Sequence, residues 1–183
     1  MPDNRSTMKL RRLASLFAAV LVVFAAPLVS AEAQPLSDKQ IDVIRQNCTE
    51  AQQILQRLQR NEAAARVNRG RGYETALRLM ASLNSRVALN KLNAPKLTDI
   101  TSQVENKFNV FRSDYIAYDD QLEAVLKLKC SSQPVTFYDE LTLARDDRTK
   151  VAKDIQAIDG LLDQYQAAVS ELKTSLSPAE VTQ

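Results

Sequence analysis

The sequence predicts an all-α fold: an elongated antiparallel three-helix coiled-coil bundle with a long, kinked first helix. Three observations carry this. Phe137, Leu141, Ala144, Arg148, Val151, Ile155, Ile158, Leu162, Tyr165, Val169, Leu172 and Leu176 follow one another at alternating steps of four and three. All but Arg148 are apolar, so an a/d heptad seam is held over more than five repeats. The chain has only three Gly and no Trp or His in 183 residues, a composition that suits helices packed along their length. Two breaks, Leu92-Asn93-Ala94-Pro95 and Cys130-Ser131-Ser132-Gln133-Pro134, divide the periodic region into three segments, about 37–92, 96–129 and 134–176.

Residues 1–33 read as a signal peptide. Lys9, Arg11 and Arg12 form a basic region, and Leu13 to Val29 is an apolar run interrupted by Ser15 and Pro27. Ala31-Glu32-Ala33 gives the small-x-small pattern of a cleavage site, so the mature chain is expected to start near Gln34. Met8 is an alternative initiator. An uncleaved anchor is the competing reading, since about 17 apolar residues lies at the short limit for a spanning helix; Pro27 and the Ala-x-Ala site argue for cleavage. The expected location is therefore extracytoplasmic, either secreted or associated with the cell envelope. Without residues 1–33 the chain holds 20 basic and 20 acidic groups. Its basic pI then belongs to the targeting segment and does not argue for a nucleic-acid partner.

The helical domain spans 34–177, followed by a frayed tail at 178–183. The first helix begins at Ser37, with Gln40 completing a capping box. Its seam reads Ile41, Ile44, Cys48, Ala51, Leu55, Leu58, Glu62 and Ala65. The pattern fails at Arg69-Gly70-Arg71-Gly72 and resumes out of phase with Tyr73, Leu77, Met80, Leu83 and Val87. The second seam is Leu97, Ile100, Val104, Phe108, Phe111, Tyr115, Tyr118, Leu122 and Val125. Its four aromatics read as a core layer ahead of a stacking platform for bases or sugars. Pro134 suits the first turn of the third helix, and Ser177-Pro178 closes it.

Cys48 and Cys130 are the only cysteines. In an exported protein they predict a single disulfide. That pairing decides whether the glycines turn the chain or bend it. A reversal there would leave the two Cys about 30 Å apart at 1.5 Å per residue, beyond the reach of a disulfide. A through-running first helix, kinked at the glycines, reduces the offset to about 16 Å. Helices one and three then run parallel, which places Glu62 and Arg148 at one height as a buried pair fixing the register; Asp114 is the alternative partner for Arg148.

No catalytic constellation is predicted. The absence of His removes the commonest general base and metal ligand. Gly70-Arg71-Gly72 lacks the strand and spacing of a phosphate loop. Asp119-Asp120 and Asp146-Asp147 are adjacent residues, which diverge by about 100° on a helix and so do not converge on an ion. Asn47-Cys48-Thr49 matches a glycosylation sequon but lies mid-helix. No enzyme activity, cofactor or metal is therefore expected. One surface feature stands out. Residues 34–92 hold ten basic groups against five acids, with Arg57, Arg60, Arg66, Arg69, Arg71 and Arg78 in the first helix. These form a candidate surface for a polyanion or a protein partner, unless they pair with acids of the other two helices.

The expected role is a structural spacer, adaptor or holdase-like factor acting on another envelope or secreted protein, with self-association open. The alternative is a polyanion- or membrane-surface-binding module using the arginine stripe. In general plan the chain resembles small exported coiled-coil chaperones and the coiled-coil regulators of wall hydrolases. The likeness is architectural and places none of their functional residues.

Overall fold

The computed structural model describes residues 36–176. The signal peptide read at 1–33 and the tail at 178–183 lie outside the described residues. Those described are all-helical, in four helices: α1 (Asp38–Gln46), α2 (Cys48–Leu89), α3 (Pro95–Lys127) and α4 (Pro134–Leu176).

The expected single first helix is two helices, and the break is not at the glycines. Asn47 interrupts it with ψ of 11°, and its side-chain Nδ2 donates to the Val43 carbonyl at 2.8 Å. Local capture of a backbone carbonyl by an Asn side chain competes with the helical ladder. At Gly70-Arg71-Gly72 the helix runs on unbroken, and neither glycine has a positive φ. The seam fails there because Arg, Asn and Gly replace apolar residues, while the backbone pattern does not change. The Ser37 backbone N–H donates to Gln40 Oε1 at 2.9 Å and opens α1.

Pro95 does not end α2. The helix stops earlier in a Schellman turn around Lys91, whose φ is 57°. Leu92 N–H donates to the Val87 carbonyl and Lys91 N–H to Ala88, both at 3.0 Å. These two bonds satisfy two of the last carbonyls of α2, and half-buried Leu92 packs against the core to which buried Val87 belongs. Pro95 is instead the first residue of α3, where its missing N–H costs nothing.

Cross-helix pairs set the directions. Gln52 donates to the Leu128 carbonyl, and Asn84 donates to Thr101, so α2 and α3 are antiparallel. Gln121 meets Glu140 and Lys96 meets Glu171, so α3 and α4 are antiparallel. Consequently α2 and α4 run parallel. The turn centred at Lys91 brings Cys130 level with Cys48, with Cα atoms 5.4 Å apart and a disulfide between them. The offset expected between them came from centring the turn at Pro95. Residues 128–133, outside any helix, supply the remaining reach.

The core is centred on α3. All nine positions of its seam are buried, from Leu97 to Val125. Phe108, Phe111, Tyr115 and Tyr118 are each at most 5 % exposed, which makes them core and not a platform. Tyr73 of α2 joins them, in edge contacts with Phe108 and Phe111 at 5.9 and 5.8 Å between centroids. On α4 the deepest row recurs every seven residues: Phe137, Ala144, Val151, Ile158 and Tyr165. Asp154 and Ala168 are buried beside it. In α2, by contrast, no residue between Leu55 and Tyr73 is fully buried.

Candidate functional site

The middle of the bundle has small and polar side chains on α2 and large rings on α3. Ala63, Ala64 and Ala65 follow Glu62, and α2 stands away from α4: no Cα of one lies within 8 Å of a Cα of the other. Long side chains cross the gap. Arg148 Nε and a terminal guanidinium nitrogen donate to Glu62 Oε1 at 3.1 and 2.8 Å. Tyr115 Oη donates to the Glu62 carbonyl at 2.5 Å. Glu62 thus ties α2 to both other helices. The pair differs from the expected one in one respect: the Arg148 side chain is 56 % exposed, so it lies at the surface. Asp114 turns elsewhere, towards Asp154 on α4.

A second three-helix tie lies further along α2, at Tyr73 and Asn84. Tyr73 donates to Asp159 at 3.1 Å. Tyr165 Oη donates to Asn84 Oδ1 at 2.9 Å, and Asn84 Nδ2 donates to Thr101 at 2.8 Å. Tyr118 is the exception among these tyrosines. Its hydroxyl is buried and has no hydrogen-bond partner. Burial pushes its pKa up, and the Glu62 carboxylate pushes it further.

Two adjoining hollows follow from the gap between α2 and α4. The first, of about 320 Å³, is lined by Ala51, Ile54, Leu55, Leu58, Tyr118, Leu122, Leu141, Ala144, Arg145 and Arg148. The second, of about 590 Å³, continues past Arg145 and Arg148 to Arg69, Ala65 and Ile155. The first is apolar except at the end where Tyr118, Arg145 and Arg148 meet. Ile54 and Arg145 escaped the sequence reading because neither is a seam residue. The available signal was an apolar residue directly before Leu55, and an Arg one helical turn before Arg148.

The six arginines singled out in the sequence do not form one stripe. At about 100° per residue, Arg57, Arg60, Arg71 and Arg78 share the face of α2 opposite the core, and all four are exposed. Arg66 faces α3, 4.0 Å from Asp119 and over the Tyr115 ring at 5.3 Å. Arg69 faces α4 and hydrogen-bonds Tyr73. Arg78 approaches Glu74 within its own helix at 3.9 Å. Pairing across the bundle therefore accounts for Arg66 alone among the six. Asp119 is half-buried beside Arg66 while Asp120 is exposed, and Asp147 accepts from Lys150 at 2.8 Å while Asp146 is exposed. Among the described residues, no group of three or more His, Cys, Asp or Glu could hold a metal ion, and no helix is long and apolar enough to cross a membrane.

No protein-family model, no curated protein and no solved structure matches this chain.

Proposed function

We propose that this is an exported, non-enzymatic protein of the cell envelope, a coiled-coil bundle of three long helices that serves as a spacer, adaptor or holdase-like factor for another protein. The carrying observation is the pairing of two long parallel helices, of 42 and 43 residues, against a single antiparallel α3, with a disulfide clasp at one end. Helices of this length, about 60 Å at 1.5 Å per residue, present long side-by-side faces for another chain. Export is supported by the basic and apolar start, the Ala31-Glu32-Ala33 site and the joined cysteines. Crosslinking the protein in its own envelope, followed by identification of captured proteins, tests the reading. One partner captured reproducibly, and lost when the disulfide is removed, supports it; capture of lipid or polymer with no protein refutes it.

A second reading, a polyanion-binding module, is favoured by Arg57, Arg60, Arg71 and Arg78, which share one outward face of α2. Salt separates the two. Polyanion binding weakens steeply with ionic strength, whereas a packed protein interface weakens less.

A further inference from the structure

We propose that the hollow between α2 and α4 binds a free anionic amphiphile with one linear acyl chain, its carboxylate at Arg145 and Arg148 and its tail running towards the disulfide. This goes beyond the role proposed above and does not depend on it. Three observations converge. Shape is the first: a cavity of about 320 Å³, continuous with one of about 590 Å³, falls within the usual range for small-ligand sites. The second is polarity along its length. At the clasp end the walls are Ala51, Ile54, Leu55 and Leu141, without a charge among them. Ile54 leaves half its surface open to solvent, which a tail would cover. At the other end stand two guanidiniums, with Arg69 beyond them, against the single carboxylate of Glu62. Arg148 is engaged by that carboxylate, and Arg145 makes no ion pair among the described residues. The third is Tyr118. It is 2 % exposed and contributes to the same polar end, and its hydroxyl is a buried donor without an acceptor. A carboxylate there accepts from Tyr118 and Arg145 together, which removes an unsatisfied donor and partners a lone cation.

Titration calorimetry of the full chain with dodecanoate, kept below its micelle concentration, tests this. Saturable binding at one per chain is expected. Arg145→Glu is expected to weaken it about tenfold, the scale of one charge-assisted hydrogen bond, and exposed Ile54→Asp by a similar factor. Leu79→Asp, exposed but outside the hollow, is expected to leave affinity unchanged, and it controls for apolar surface elsewhere in the chain. Circular dichroism confirms that each variant is folded. Dodecanol and acetate, lacking the charge and the tail respectively, are expected to bind at least about tenfold more weakly. The proposal is overturned if Ile54→Asp and Arg145→Glu bind as the parent does, or if anionic vesicles bind where monomeric dodecanoate does not. A second copy filling the hollow, seen as a dimer in light scattering that Ile54→Asp dissolves, also overturns it.

Discussion

Glu62 and Arg148 meet at 2.8 Å across a gap that the backbones of α2 and α4 do not close. The same Glu62 accepts from Tyr115 through its carbonyl. One residue of α2 therefore sets its height against both neighbours.

Because the Arg148 side chain is more than half exposed, the ion pair contributes modestly. A double-mutant cycle by chemical denaturation is expected to return a coupling of about 0.5 kcal/mol. The exchanged pair Glu62→Arg with Arg148→Glu should recover most of the stability lost by either change alone. Strict additivity of the single changes would refute the pairing.

The disulfide closes a loop with a sequence separation of 82. In the chain-entropy treatment such a loop stabilises by about 4 kcal/mol. Cys48→Ser with Cys130→Ser, measured by thermal and urea unfolding against the oxidised parent, should lose most of this. A loss below about 1 kcal/mol would mean that the ends of α2 and α3 hold together without the bond.

Gly70 and Gly72 sit inside α2, and a Cβ built on either meets nothing within 4 Å. Glycine in a helix interior costs about 0.5–1 kcal/mol relative to alanine. Gly70→Ala and Gly72→Ala should each raise the melting temperature and together add about 1–2 kcal/mol. Destabilisation by either would mean that the helix needs glycine there, as a bend at these positions would require.

Asp154 is buried on α4 with one oxygen unpartnered. Burial raises its pKa, and a hydrogen bond and repulsion from Asp114 raise it further, opposed weakly by Lys107. An acid whose pKa is higher folded than unfolded stabilises most below its ordinary value of 3.8, and that contribution is lost as pH rises through the folded value. Asp154→Asn should therefore stabilise by about 1 kcal/mol at pH 7 and show no advantage below pH 3.8, as read from denaturation at both pH values. The opposite ordering would mean that the carboxylate is held by a favourable partner.

Lys91 holds a left-handed conformation that favours glycine. Lys91→Gly should be neutral or stabilising by a few tenths of a kcal/mol, up to about 1, whereas Lys91→Val should cost about 1–2 kcal/mol. Equal stability of the two variants would show that the turn relaxes.

Wherever one apolar row decides burial, the sequence was sufficient. The seam read from Leu97 to Val125 is the buried face of α3, residue for residue. Pro134 opens α4 as read. The pairing of Cys48 with Cys130 followed from their number and the expected compartment. What escaped was governed by single side-chain hydrogen bonds or by spacing between helices. The break at Asn47 depends on its bond to Val43, and the end of α2 on a Lys in a conformation that sequence does not mark. On α4, Asp154 is buried off the seam because it faces α3 and not α2. The hollow at Tyr118 exists because the backbones of α2 and α4 stand apart, a property of distances between helices and not of periodicity.

Covalent closure at Cys48 and the folded-back chain at Lys91 fix α2 at its two extremities, like a beam built in at both supports. Thermal opening then concentrates at mid-span, between Leu55 and Tyr73, where burial is thinnest. Reduction removes one support and turns the beam into a cantilever rooted at Lys91, so that amide exchange should spread inward from the freed Cys48 end.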